Sequence, residues 1–154
     1  MHDQLERLGA VLQRLLNQHL PSLGDDWWQR GVVSALSFPQ RQTVSERGWN
    51  SIDRLDVAAL LRLVDQNWEF LRGRCALSYD SRNWLKEASS VRNRVAHEAP
   101  GEPRNAQRDY RDLDTLARLA EVLDEHAPET LELIAARNAA FGTLGEASSS
   151  EQPA

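Results

Sequence analysis

At 154 residues the chain is long enough to bury an ordinary hydrophobic core unaided, and one domain is the starting expectation. Eighteen Lys+Arg against 23 Asp+Glu leave a net charge of −5, which excludes a histone-like basic coat protein. The 41% hydrophobic and 27% charged fractions exclude a disordered chain.

Leu5, Leu8, Leu12, Leu15 and Leu16 recur three or four apart and predict an amphipathic helix from Gln4 to Leu20, terminated by Pro21. Asp25 and Asp26 precede Trp27, Trp28, Val32, Val33 and Leu36, the pattern of a short second helix with an acidic N-cap, ending near Phe38 and Pro39. Thr43 and Glu46 have capping-box spacing and predict a helical turn through Trp49. Asp56 is placed to cap a helix carrying Val57, Leu60, Leu61, Val64, Trp68 and Leu71 on one side and closing near Gly73. Ser81 is placed to cap a helix with Trp84, Leu85, Ala88, Val91 and Val95 inward, stopped by Pro100-Gly101-Glu102-Pro103. Tyr110, Leu113, Leu116, Ala117, Ala120 and Leu123 form the next stripe. Pro128 then suits the first position of a last helix, with Leu131, Ile134, Ala135 and Phe141 inward and Gly142 as its end.

No strand-like alternation persists, no Asn-Gly or Asp-Gly hairpin signal occurs, and nothing repeats at a fixed period. The expectation is all-α: an up-and-down bundle of four to six helices forming one domain over residues 1–142, with 143–154 as a flexible tail or linker. Cys75 alone cannot form an internal disulfide or a CxxC site. No apolar run is long enough to span a membrane, and MHDQLER lacks a signal peptide's apolar stretch. A cytoplasmic, reducing address and no membrane partner are expected.

Charge is uneven. Arg72 to Arg111 holds nine basic and five acidic residues, a net of +4, so the remainder carries −9. Such a third can present a phosphate-binding face, or simply a solvated helix face. Within it, Ser89-Ser90-Val91-Arg92-Asn93-Arg94-Val95-Ala96-His97 runs into the Pro-Gly stop. At ~100° per residue Asn93 and His97 share a face, whereas Arg92 lies ~140° from His97 and meets it only if the helix frays or across a dimer. Histidine near its ordinary pKa serves as acid or base, and arginine holds a phosphate and its transition-state charge. A His–Arg pair with an amide suits metal-free RNA cleavage, in which the ribose 2′-OH attacks the adjacent phosphorus and the 5′-oxygen leaves protonated. One imidazole is short of the two proton transfers, which a second His97 from a two-fold-related chain would complete. The plainer alternative is a set of cations complementing the dipole at a helix C-terminus, worth ~0.3–1 kcal/mol.

Arg92-Asn93-Arg94-Val95-Ala96-His97 resembles the Arg-x4-6-His signature of HEPN domains (higher eukaryotes and prokaryotes nucleotide-binding). Leu55-Asp56 leading to Leu60-Leu61, then Asp65-Gln66-Asn67-Trp68-Glu69-Phe70, then Val91 to His97, then Asp109 to Leu116 are similar to the HEPN branch first described in a transcript-surveillance endoribonuclease and found in bacterial phage-defence proteins beside ATPase modules. The resemblance covers roughly Asp53 to His126. It implies a helical bundle that dimerises and, in many members, a metal-independent endoribonuclease needing no cofactor, of a defence or toxin–antitoxin setting. Carried over, Arg92 is the phosphate-stabilising arginine, Asn93 the adjacent polar residue and His97 the acid/base; Arg94 has no fixed role in that signature, and it is expected as an RNA contact from its helical position, with Lys86 and Arg82 of the same basic stretch. Other HEPN domains only dimerise or dock a partner ATPase, nuclease or antitoxin. The small size, acidic total and linker-like Gly145-Glu146-Ala147-Ser148-Ser149-Ser150 suit that alternative.

The remaining candidates are weaker. His2, His19 and His126 have no metal-ligand spacing, so no metal site is expected. Trp68 and Trp84 fall on core stripes, and Trp27 and Trp28 cannot both face one core, so one of them is expected at a groove or dimer contact. Asp112 and Asp114 sit on a helix, where a solvated face or a salt bridge to Arg92 or Arg94 is expected rather than two-metal chemistry. There is no glycine-rich phosphate loop and no nucleophile elbow.

Overall fold

The leucine spacing of the first segment makes helix α1, His2–His19, which buries Leu5, Leu8, Val11, Leu12, Leu15 and Leu16. The computed structural model of the chain describes residues 1–150, with side-chain surroundings through residue 146. Pro21 follows in a 3-10 turn, Leu20–Leu23. The second predicted helix is instead a π-helical turn, Trp28–Val32, followed by a 3-10 turn, Val33–Ala35. A π turn is wider than the α-helix and breaks its 100° step. Trp27 and Trp28 accordingly both lie half-buried against the core, with ring centroids 5.8 Å apart at 87°, which corrects the expectation that only one could face inward.

Phe38 and Pro39 open a helix rather than closing one. Ser37 caps α2, Phe38–Arg47, in a capping box with Gln40, and Gly48, at φ +61°, ends it in the left-handed region where glycine has no Cβ to clash. The Thr43/Glu46 pair lies inside this helix, and the Thr43 hydroxyl donates to the Pro39 carbonyl instead of capping.

Asp56 caps α3, Val57–Gln66, by accepting from the Ala59 amide at 2.9 Å, as expected. The predicted long helix is nevertheless two, because Asn67 leaves helical geometry at φ −100°, ψ 17° before α4, Trp68–Cys75. Its Nδ2 donates to the Leu63 and Gly31 carbonyls, both at 2.8 Å. Gly31 is tightly held there: a Cβ on it would lie 2.8 Å from Leu23 Cδ1. Helix α4 ends two residues beyond the expected Gly73, at a left-handed Ala76.

Helix α5, Ser81–His97, buries Leu85, Ala88, Val91 and Val95, and the Pro-Gly loop stops it as predicted, but Ser81 is its first residue and not its cap: Asp80 holds the N-cap position, and the Ser81 hydroxyl pairs with that of Ser78. Asn105 caps α6, Ala106–Asp124, through the Arg108 amide. Helix α7, Pro128–Ser150, runs through Gly142, where no positive φ occurs. A helical glycine costs only ~1 kcal/mol, and the Thr143 hydroxyl donates back to Ala139 across it. The expected end at Gly142 is therefore corrected, and of the segment read as a tail, residues 143–150 are helical while 151–154 lie outside the described residues. The inward stripe of α7 is corrected in part, since Ile134 packs half-buried against the core but Ala135 is exposed. Thr130 and Leu133 are fully buried and Ala127 nearly so, while Leu131 and Phe141 are 57% and 63% exposed. The buried Thr130 hydroxyl is satisfied by the Asp124 carbonyl at 2.7 Å, which lets a polar residue occupy the core side.

Seven α-helices among the described residues exceed the expected four to six, through the Asn67 break and a separate α2. No strand occurs among the described residues, and none of their helices is long and apolar enough to cross a membrane. Side-chain pairs fix the directions. Asp56–Arg92 and Asp65–Arg82 make α3 and α5 antiparallel. Arg94–Asp112 with Glu87–Thr115 does the same for α5 and α6. Arg137 reaches Asp114 and Glu121 of α6, and Glu132 and Glu129 of α7 meet Arg7 and Arg14 of α1, so α7 is antiparallel to both. One core links these layers, with Leu8, Leu12, Leu61, Leu63, Trp68, Leu71, Leu85 and Leu116 at its centre.

Candidate functional site

Helix α5 carries every residue that the signature nominates. With Leu85, Ala88, Val91 and Val95 inward, the 100° step sets Arg82, Lys86, Asn93 and His97 within about 40° of one outward line. Arg92 and Arg94 leave from opposite flanks. Arg92 points toward α3, its Nη2 3.6 Å from Asp56 Oδ2 and its Nη1 3.5 Å from Asn93 Oδ1, which accepts from it. Arg94 points toward α6 and pairs with Asp112.

The helix stays regular to its last residue, His97, which is exposed. The helix end is not frayed in this structure, and Arg92 and His97 lie ~140° apart within one chain.

Asp112 is buried, its side chain 9% exposed. Burial raises its carboxyl above the ordinary range, against the opposing pull of the Arg94 cation. Asp114 holds Arg118 and Arg137 rather than any residue of the signature. Arg82 donates from Nε to Asp65 Oδ1 at 2.9 Å and from Nη2 to the Asp65 carbonyl at 3.3 Å, so this arginine also braces α5 against α3.

Beside Arg92 lies a cleft of about 380 Å³ between the start of α2, α3 and α5. Ala58, Leu61 and Leu85 make its floor; Arg62, Lys86 and Arg92 bring three positive charges, and Asp65 one negative. Asn93, Ser89, Ser37 and Gln40 complete its border. Arg62 is held there by Nε, which donates to the Ala35 carbonyl at 2.7 Å. A shallower hollow of about 200 Å³ on the other side of Arg92 is shared with His2, Glu6 and Asp56.

The structure thus brings Lys86, Arg92 and Asn93 onto one cleft, leaves His97 one turn beyond it, and turns Arg82 and Arg94 to acidic partners on neighbouring helices. Arg62 was missed by sequence reasoning. Its only signal is the spacing Ala58, Leu61, Arg62, Asp65, an edge of α3 next to the buried stripe. His2 beside Arg92 was missed too, because nothing in the sequence aligns the start of α1 with the end of α5. His19 accepts from Arg74 Nε at 3.4 Å, and burial and that cation lower its pKa. His126 is exposed beside Glu125. No three His, Cys, Asp or Glu are grouped to hold a metal among the described residues.

The Swt1-like HEPN family model matches residues 4–124. The match begins in α1, well before Asp53 where the resemblance in the sequence starts, and ends on the last residue of α6. No curated protein and no solved structure gives a match. With a match over most of its length that includes α1 to α6 and the whole signature, the chain belongs to the Swt1-like HEPN family.

Proposed function

We propose that the protein is a metal-independent endoribonuclease, or the nuclease domain of a defence or toxin system, that cleaves RNA by attack of the 2′-hydroxyl at a homodimer cleft. The observation that carries this reading is the outward line of Lys86, Asn93 and His97 on α5, with Arg92 on its flank beside a cleft of net positive charge. His97, accessible at the helix end, takes the 2′-OH proton or protonates the leaving 5′-oxygen. Arg92 stabilises the charge on the phosphorus, with Asn93 ordering its guanidinium. A two-fold axis near the end of α5 brings Arg92 of each chain toward His97 of the other and supplies the second imidazole. Incubation of mixed RNA in EDTA tests the reading. The expected products end in 2′,3′-cyclic phosphate and 5′-hydroxyl, and His97→Ala abolishes them. Activity that is lost in EDTA and restored by Mg²⁺, with 3′-hydroxyl ends, would overturn it.

A second reading is favoured by the internal pairing of the arginines: Arg92 faces Asp56 and Arg94 holds Asp112. In that reading the signature braces a non-catalytic module that dimerises or docks a partner ATPase, nuclease or antitoxin. Arg92→Ala and Arg94→Ala then lower the melting temperature or the dimer affinity, while wild type leaves RNA intact.

A further inference from the structure

Asp112 is the outlier among the ion pairs. Its side chain is 9% exposed, whereas every other paired carboxylate among the described residues is at least 24% exposed. It is also the one charged residue that is buried among those described. A buried ion pair seldom repays its desolvation, and apolar residues of similar volume hold two helices together as well or better. Burial raises the Asp112 carboxyl in spite of the Arg94 cation, so at neutral pH its charge opposes folding. Packing of α5 on α6 therefore does not account for an acid at this position. Arg94 is equally unusual. The arginines that brace the bundle reach two acceptors each: Arg82 takes Asp65 Oδ1 and the Asp65 carbonyl, Arg14 both oxygens of Glu129, and Arg137 stands between Asp114 and Glu121. Arg94 makes one bond, Nη2 to Asp112 Oδ1, and its side chain is 43% exposed, which leaves the other donors of the guanidinium fork for an anion. It precedes His97 by three residues, one turn away and ~60° round α5, against ~140° for Arg92. Arg94 is thus the arginine that shares a side of α5 with the imidazole of its own chain.

We infer that Asp112 is a positioning residue: from the buried side of α6 it holds Arg94 beside His97, so that the free edge of the guanidinium meets the phosphate on which His97 acts. The inference rests on the ribonuclease reading. It adds to the proposed dimer cleft an arginine from the chain that supplies the imidazole, facing Arg92 from the other chain. A guanidinium already fixed in place stabilises the charge that develops on the phosphate without reorganising first, which raises kcat more than it tightens substrate. An arginine left to rotate in water offers the same charge and loses that advantage.

Steady-state cleavage of a short single-stranded RNA by the full chain in EDTA tests this, with melting temperature and mass by light scattering taken on the same samples. Asp112→Leu removes the acceptor, leaves no buried charge and lets the half-exposed Arg94 turn to water. It is expected to melt no lower than wild type at pH 7, to keep the dimer mass, and to lower kcat ~10- to 10²-fold with KM unchanged or reduced, the cost of a misplaced group. Asp112→Asn keeps an oxygen for Nη2 and is expected to restore most of that kcat. Arg94→Ala is expected to lose at least as much as Asp112→Leu, and the double variant no more than Arg94→Ala, because the acid acts through the arginine. Four results would overturn the inference and leave the ribonuclease reading standing: an Asp112→Leu that cuts as fast as wild type, a loss confined to KM, a loss that comes only with a lower melting temperature or a smaller mass, or costs that add in the double variant. Wild type that leaves the RNA intact removes the ribonuclease reading and the inference with it.

Discussion

At the scale of single residues, the proposed reaction divides between an imidazole and a guanidinium. His97→Ala is expected to cost ~10²–10⁴-fold in cleavage rate, the usual contribution of a general acid or base. Arg92→Lys keeps the charge and loses the planar fork, and is expected to cost about 10²-fold. Both melt like wild type, since His97 is exposed and the Arg92–Asp56 pair is a surface contact at 3.6 Å. Kinetics and melting curves on the same samples check both statements. Asp112 carries a separate prediction. Its folded pKa lies above the ordinary 3.8, so in the window just above 3.8 the folded chain binds more protons than the unfolded one and stability falls as pH rises. Urea midpoints across that window are expected to show this slope, and Asp112→Asn to flatten it. Which residues could meet was partly legible: the ~140° between Arg92 and His97 follows from helical spacing, and a salt bridge from Asp112 to Arg92 or Arg94 was one of the two expectations for that carboxylate, without the spacing saying which. The pairing of Arg92 with Asp56 was not legible, because it depends on how α3 and α5 slide along one another.

Among the elements, sequence reading succeeded where one apolar stripe meets one core and failed where a single polar side chain redirects the backbone. Helices α1, α5 and α6 match their leucine and alanine spacing. The α3–α4 break was hidden because Leu60, Leu61, Val64, Trp68 and Leu71 stay buried on both sides of it, so the hydrophobic pattern passes through Asn67 unaltered. What ends α3 is the side-chain amide, held by two carbonyls, one of them 36 residues away in the π-turn segment. Asn67→Leu leaves the Gly31 carbonyl unpaired in a half-buried position and is expected to cost about 1–3 kcal/mol, read from denaturant unfolding. In α7 the large apolar residues Leu131 and Phe141 misled: burial follows Thr130 and Leu133, and the hydroxyl that permits this finds its acceptor only in the folded α6–α7 turn.

For the whole molecule, the intact end of α5 makes two chains a requirement of the proposed chemistry. Light scattering is expected to give twice 17.4 kDa at tens of micromolar. Mixing wild type with an equal amount of His97→Ala, after subunit exchange, is expected to halve the activity of the wild-type chains present, because half of them then sit in dimers with one imidazole. Unchanged activity would point to a monomer that acts alone. The antiparallel order of the bundle carries one more practical meaning. Because α3 and α5, α5 and α6, α6 and α7, and α7 and α1 each run in opposite directions, the beginning of α1 and the far end of α7 both come to the pole where α5 finishes. His2 indeed borders a hollow with Arg92 and another with the loop after His97. An affinity tag, fluorophore or fused domain placed just before α1 thus stands beside the residues of the proposed dimer cleft. A label on the protein belongs at the opposite pole, at the exposed Glu125 or His126 of the turn between α6 and α7, away from His97.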